Sequence, residues 1–107
     1  MRIIKLKTLN DFWKKYPDAE KGLRVWYTDI ESKNWQQPNE IIQFFKKSDT
    51  VGNNRIVFNI EHNKYRLIVL FRYNIQLGFV RFIGTHKAYD KIKNIENEIE
   101  KSLTLKW

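Results

Sequence analysis

The sequence contains no cysteine and, among 107 residues, only four glycines and two histidines. The absence of cysteine excludes disulfides, cysteine-ligated zinc and iron–sulfur clusters. No glycine precedes a Lys-Ser or Lys-Thr pair, so a glycine-rich phosphate loop is also excluded. The histidines, His62 and His86, do not stand at metal-ligand spacing, and the sequence therefore predicts neither a catalytic metal nor a cofactor.

Long hydrophobic runs are also missing. The longest apolar stretch, Leu67–Phe71, is far shorter than the roughly 20 residues of a membrane-spanning helix. The N-terminal segment Met1–Lys7 is basic but lacks the apolar run of a signal peptide. We therefore expect a cytoplasmic protein that does not associate with a membrane, folded as a single domain over residues 1–107.

Acidic residues are the minority charge, with 12 Asp and Glu against 20 Lys and Arg and a net charge of +8. A basic domain of this kind is typical of proteins that bind nucleic acid, an acidic protein or an anionic membrane, and it also aids solubility. No strongly basic amphipathic helix stands out, which makes the membrane the least favoured partner. The 42% hydrophobic and 15% aromatic content is sufficient for a packed core.

The N-terminal half is predicted to form a strand and a helical hairpin. Residues 1–6 suit a short strand, and Thr8–Asp11 resembles a capping box that starts a helix. Pro17 ends this helix, and Asp18 can cap a second helix with an apolar stripe of the same spacing. A further short helical turn is expected over Pro38–Phe45.

The C-terminal half is predicted to form a polar loop, three antiparallel strands and a helix. The loop covers Lys46–Asn54 and contains the turn signal Gly-Asn-Asn. The strands are expected at Arg55–Ile60, Tyr65–Tyr73 and about Leu77–Gly84. His62 and Asn63 suit a tight hairpin turn, and Lys87–Leu103 is compatible with a helix. The fold class is therefore α+β, with the hairpin packed on a mostly antiparallel sheet.

Strand alternation separates an apolar face of this sheet from a polar face. The polar face is predicted to gather Arg55, Asn59, Arg66, Arg72 and Arg81. Any one of these arginines is typical of an ordinary solvent-facing charge. As a group, and together with Lys64 in the hairpin, they favour a surface that binds the phosphates of RNA.

The remaining inventory suits metal-independent cleavage of RNA. RNA supplies its own nucleophile, the 2′-hydroxyl, so the protein needs a base, an acid and cations around the phosphate. The densest set of suitable side chains is Gly84–Asp90, where the last strand meets the final helix. There His86 can transfer protons, Lys87 supplies positive charge, and Tyr89 can donate a proton or stack on a base. The alternative is that His86 and Tyr89 only pack around a capped helix start.

Five ordered segments resemble the HigB-type toxins of the RelE/ParE superfamily. They are Lys15–Glu20, Trp26–Tyr27, Trp35–Pro38, Phe58–Ile68 and Gly84–Asp90, of which the Thr-His-x-x-Tyr-Asp pattern in the last is the most specific. The resemblance implies a compact sheet with the helical hairpin on one face and a cationic groove on the other. It also implies cleavage of messenger RNA on the translating ribosome, and neutralisation by a HigA-type antitoxin with a helix-turn-helix domain.

The resemblance assigns roles to individual residues by position. Arg66 matches the arginine proposed to hold the scissile phosphate, and His86, Lys87 and Tyr89 match the catalytic neighbourhood. The expected roles are His86 as base or acid, Lys87 as a second phosphate clamp, and Tyr89 as proton donor or stacking platform. Asn59 stands near the position of a catalytic lysine in RelE proteins, which leaves the general base unassigned. ParE-like relatives that poison DNA gyrase, and inactive members that bind RNA or antitoxin, remain as alternatives.

Overall fold

The computed structural model describes residues 1–92, which form an α+β fold around one mixed sheet. The strands are β1 (Arg2–Ile4), β2 (Ser48–Gly52), β3 (Arg55–Ile60), β4 (Tyr65–Arg72) and β5 (Leu77–Thr85), and the helices are α1 (Leu6–Lys15), α2 (Glu20–Glu31), α3 (Pro38–Phe44) and α4 (His86–Asp90). The spatial order is β1-β5-β4-β3-β2; β1 runs parallel to β5 and all other neighbours are antiparallel. The predicted α+β class and mostly antiparallel sheet are confirmed.

The main core lies between the sheet and helices α1 to α3. Alternate residues of β4 face these helices, namely Tyr65, Leu67, Val69 and Phe71. Phe58 of β3 lies at the centre, with ring centroids 5.3 Å from Trp26, 5.2 Å from Phe45 and 6.2 Å from Phe71. Such edge-to-face contacts add to the free energy gained by burying apolar area. The apolar face inferred from strand alternation is therefore confirmed.

Helix α1 begins at Leu6, and the predicted capping box at Thr8 is wrong. Lys5 adopts a left-handed conformation with φ 75°, and its carbonyl accepts the Thr8 amide at 3.0 Å. Among residues 1–92, no side chain caps the helix. Pairing of β1 with β5 ends at Ile4, so the chain turns at Lys5 and Thr8 already lies inside the first helical turn.

Asp18 does not cap α2 as predicted. It lies in a 3-10 turn, Pro17–Ala19, and α2 starts at Glu20 without a side-chain cap. The Asp18 carboxylate instead accepts hydrogen bonds from the Tyr65 hydroxyl and the Lys64 ammonium. A tertiary contact, which local sequence cannot reveal, has taken the place of the local one.

The predicted polar loop over Lys46–Asn54 contains the edge strand β2. Ser48–Gly52 pairs antiparallel with β3, with a register shift between Thr50 and Gly52. Its residues are exposed or half-buried and show no apolar alternation, so main-chain pairing alone defines the strand. The turn at Gly52–Asn54 is confirmed, since all its residues have positive φ.

Helix α4 covers the opposite face of the sheet, here called the α4 face. Thr85 caps it by accepting the Ala88 amide at 3.1 Å, and its first residue is His86 rather than the predicted Lys87. Tyr89 and Ile92 pack on a small apolar cluster of Val57, Ile68 and Phe82. The rest of the helix predicted to Leu103 lies outside the described residues. Within residues 1–92 no helix has the length and apolarity to cross a membrane.

Two tyrosines make the stability of this fold sensitive to alkaline pH. Hydrogen bonding to Asp18, with burial, raises the pKa of Tyr65 to about 12, and burial raises the pKa of Tyr73 to about 12. A group whose pKa is raised on folding stabilises the protein fully below its unfolded pKa, and this contribution is lost as pH rises through the folded pKa. We expect the urea midpoint to fall between about pH 10 and 12. The urea midpoint of Tyr65→Phe should fall less steeply with pH. If the midpoint fell equally steeply in both proteins, Tyr65 would not contribute to the pH dependence.

Candidate active site

The candidate site lies on the α4 face, where β5 runs into α4. Arg66 of β4 stands between Asn59 of β3 and Gly84 of β5 in the strand register. Its guanidinium carbon is 5.7 Å from the centroid of the Tyr89 ring, a cation–π distance. A Cβ at Gly84 would come within 2.7 Å of the Phe82 ring, so a larger residue at this position would displace that ring. The Arg66–Tyr89 contact places α4 against β4.

Arg66 is half-buried and held in place by the backbone. Its Nη1 donates to the Asn63 carbonyl at 2.9 Å. A guanidinium has five N–H donors in a planar fork, so this bond leaves others to grip a phosphate. Arg66 is therefore a pre-positioned cation next to an aromatic ring.

Tyr89 is half-buried between Phe82, at a ring distance of 6.4 Å, and Arg66. Burial raises the pKa of the Tyr89 hydroxyl; Arg66 opposes this effect, and Asp49 and Asp90 reinforce it. The phenol is therefore protonated at neutral pH. In this state it can donate a hydrogen bond or a proton, and it is unsuited to act as a base.

His86 opens α4 with an exposed side chain and an anchored backbone. Its amide donates to the Lys64 carbonyl at 2.9 Å. Its Nδ1 lies 3.2 Å from Oδ2 of Asp90, one helical turn later. A carboxylate at Nδ1 orients the imidazole and directs Nε2 toward proton exchange with a substrate. Lys87 follows, exposed on the same short helix.

The structure brings together only part of the predicted set. Arg66 contacts Tyr89 and is paired with Asn59 in the strand register, and His86 and Lys87 begin the helix that carries Tyr89. Lys64 is directed elsewhere, since its ammonium pairs with Asp18 on the side of α1 and α2.

The other three predicted cations lie apart from this group. Arg72 is exposed at the end of β4, about 20 Å along the strand from Arg66 at some 3.3 Å per residue. Arg55 and Arg81 are 3% and 8% exposed, and Nη1 of Arg55 donates to the Asn53 carbonyl at 2.9 Å. Their guanidinium groups are thus built into the sheet rather than presented on an open surface.

One acidic residue near the site, Asp49, is not predicted from the sequence. Asp49, on β2 and opposite Val57, acts electrostatically on Tyr89. The sequence predicts a loop where β2 forms, so nothing in it places Asp49 near Tyr89. Asp90 lies within the predicted Gly84–Asp90 segment, and its four-residue spacing from His86 indicates their contact. In the part of the chain that the structure describes, no three His, Cys, Asp or Glu side chains cluster in a way that would hold a metal ion.

Comparison with known proteins gives this geometry a context. The HigB_toxin family model, described as the RelE-like toxic component of a toxin–antitoxin system, matches residues 7–92. The chain is 27% identical over 92 residues to the mRNA interferase toxin HigB of Escherichia coli K12, covering 84% of this chain and 88% of the relative. The mRNA interferase HigB of Shigella flexneri matches with the same identity and coverage. The family match spans every element that builds the site, and the chain belongs to the HigB_toxin family of RelE-like toxins of toxin–antitoxin systems.

Proposed function

We propose that this chain is the toxin of a type II toxin–antitoxin pair and that it cleaves messenger RNA on the translating ribosome. The observation that carries the proposal is the contact of Arg66 on β4 with Tyr89 on α4, the helix that begins at His86. A cation, a protonated phenol and an imidazole are therefore available where β4, β5 and α4 meet. The curated relatives, which are named mRNA interferases, match the chain over 84% of its length.

The chemistry follows from what RNA supplies. The 2′-oxygen attacks the adjacent phosphorus and forms a new P–O bond, the P–O5′ bond breaks, and a 2′,3′-cyclic phosphate and a 5′-hydroxyl result. One proton leaves the 2′-hydroxyl and one reaches the departing 5′-oxygen. Tyr89 suits the donor because its hydroxyl is protonated, and His86 suits the acceptor because Asp90 orients its ring. Residues of this chain therefore supply both proton transfers.

The charge that develops on the phosphate is met by cations. Arg66 is fixed through Asn63 before substrate arrives, so little reorganisation is needed when charge builds up. Lys87 adds a second positive charge from the first turn of α4. Electrostatic stabilisation of this kind is usually the largest single contribution to catalysis.

An antitoxin partner follows from membership of the family, which is the toxic component of a toxin–antitoxin system. We propose a HigA-type antitoxin with a helix-turn-helix domain. Because the chain carries a net charge of +8, an acidic surface on the antitoxin would favour rapid association. The same positive charge would favour binding to ribosomal and messenger RNA.

Primer extension on a defined message in a reconstituted translation reaction tests the proposed activity. Discrete cuts at in-frame positions that vanish without ribosomes would support it. Cuts that persist without ribosomes would identify a free ribonuclease instead. An intact message, accompanied by double-strand DNA breaks when the protein is expressed, would favour the ParE-like alternative and overturn the proposal.

Asp90→Asn is expected to lower kcat for RNA cleavage roughly tenfold, below the ~10²-fold that a misplacement of about 1 Å costs. The substitution keeps the shape of the side chain and removes the carboxylate that lies 3.2 Å from His86 Nδ1. Single-turnover cleavage on programmed ribosomes measures the effect. Asp11→Asn, in an exposed ion pair with Lys7 on α1, is the matched control and should cleave like the wild type. Equal rates for both variants would remove Asp90 from the mechanism.

A further inference from the structure

We propose that Asp18, on the side of the sheet opposite the candidate site, is a positioning residue for that site and acts through the β3–β4 turn. This turn covers Glu61–Lys64, and Asp18 accepts hydrogen bonds from Lys64 and from the adjacent Tyr65. Two carbonyls of the turn accept hydrogen bonds from Arg66 and His86. The inference rests on the proposed function, since it assigns Asp18 a part in RNA cleavage. The contact involved joins Asp18, in the α1–α2 connection, to Lys64 and Tyr65, and it includes none of the residues proposed to act on RNA.

The β3–β4 turn has a backbone conformation that needs external support. Three consecutive non-glycine residues, Glu61, His62 and Asn63, adopt left-handed conformations with φ of 50°, 51° and 69°. The turn closes through the Lys64 amide, which donates to the Glu61 carbonyl at 3.0 Å. Left-handed L-residues are unfavourable and persist where surrounding contacts over-determine them.

Asp18 supplies these contacts from the helical side. One carboxylate oxygen accepts the Tyr65 hydroxyl and the other accepts the Lys64 ammonium. The Tyr65 ring is 4% exposed and packs against Phe12 and Tyr16, with centroid distances of 5.2 and 5.6 Å. The hydrogen bonds from Lys64 and Tyr65 also lower the pKa of Asp18, so the carboxylate stays ionised at neutral pH. The end of β4 next to the turn is thus tied to the α1–α2 connection.

The same turn supports the site from the other side. The Asn63 carbonyl accepts Nη1 of Arg66, and the Lys64 carbonyl accepts the His86 amide, both at 2.9 Å. Strand alternation sends the Tyr65 side chain toward the helices and the Arg66 side chain toward the α4 face. Any shift of the turn therefore moves the phosphate-binding cation and the first residue of α4 together.

This arrangement links Asp18 to catalysis without placing it near RNA. Arg66 lies on β4 and His86 begins α4, and both donate a hydrogen bond to a carbonyl of the turn. Small errors in the placement of reacting groups reduce rates strongly, whereas binding of a long RNA relies on many contacts. Loss of Asp18 should consequently lower kcat and leave KM nearly unchanged.

Amide hydrogen exchange on the folded full-length protein tests whether Asp18 holds the β3–β4 turn. In Asp18→Ala we expect the His86 amide to exchange about fivefold faster or more, because its acceptor at Lys64 is released to local opening. The internal reference is the Phe71 amide, which donates to Asn54 at the opposite end of β4 at 2.9 Å and should keep its rate. Asp18→Glu, which retains the carboxylate, should restore the His86 rate, and Asp11→Ala should leave it unchanged. If the His86 amide exchanged no faster in Asp18→Ala, or if the Phe71 amide accelerated equally, Asp18 would not hold the turn.

Cleavage kinetics on programmed ribosomes then test the link to function. We expect Asp18→Ala to lower kcat roughly tenfold with KM within about twofold of the wild type, and Asp18→Glu to recover the rate. If the His86 amide exchanges faster in Asp18→Ala while kcat is unchanged, Asp18 holds the turn but is not a positioning residue for the site. If the wild type cleaves no RNA, the proposed function fails, and the exchange measurement still decides whether Asp18 holds the turn.

Discussion

Replacing Arg66 with alanine is expected to lower the rate of RNA cleavage by about 10²–10³-fold while the protein stays folded. The guanidinium is fixed by Asn63 and lies over the Tyr89 ring, so it is in place before charge develops on the phosphate. It is half-buried at the site, and its removal leaves the core on the other face of β4 intact. Single-turnover cleavage of a ribosome-bound message measures the effect, with urea unfolding to verify the fold.

Two further variants define what the Arg66 result means. Arg66→Lys keeps the charge and loses the planar fork, so it should recover only part of the rate. Arg2→Ala removes an exposed arginine on β1, remote from the site, and should cleave like the wild type. If Arg66→Ala and His86→Ala both retained wild-type cleavage, the site would have been assigned to the wrong residues.

Replacing Phe58 with alanine is expected to lower the free energy of unfolding by about 3–5 kcal/mol. The side chain is 2% exposed and touches three aromatic rings, those of Trp26, Phe45 and Phe71. The loss combines removed apolar burial with a cavity that the surrounding rings cannot fill. Because domains of this kind are stable by only about 5–15 kcal/mol, the variant should unfold at a much lower urea concentration.

Phe44→Ala is the matched control for Phe58→Ala. Phe44 is 41% exposed and contacts Trp35 and Phe45 at the edge of the core. The same substitution there should cost less than about half as much, because solvent can occupy the vacated space. Equal losses at the two positions would contradict the placement of the core around Phe58.

The candidate site could be predicted in part because some of its residues are neighbours in the chain. His86, Lys87 and Tyr89 follow one another at the end of a strand, so their proximity is a property of local sequence. Arg66 joined them through the resemblance to HigB-type toxins, and the structure places it against Tyr89. Asp49 could not be found in this way, because it reaches the site only through the pairing of β2 with β3.

Charge was a weaker guide to the site than proximity. Lys64, Arg55 and Arg81 were grouped with the RNA-binding surface because they are basic and belong to the sheet or its hairpin. In the structure Lys64 pairs with Asp18, and Arg55 and Arg81 are largely buried. A basic side chain can be paired with a carboxylate or a carbonyl in the folded protein, and the packing of the surrounding segments decides whether it is.

The sequence by itself determined the α+β class, the apolar face of the sheet and the strands β3, β4 and β5. These depend on periodicity and on turn residues, which act over a few positions along the chain. Tertiary structure alone decided the edge strand β2, the start of α1 at Leu6 and the contact of Asp18 with Lys64 and Tyr65. The Asp18 contact joins groups that are 47 residues apart in the chain, the start of α1 follows the end of the β1–β5 pairing at Ile4, and β2 is defined by its pairing with β3 rather than by an apolar pattern. Local propensity carries no information about such pairs, because their free energy exists only once the sheet and the helices have packed together.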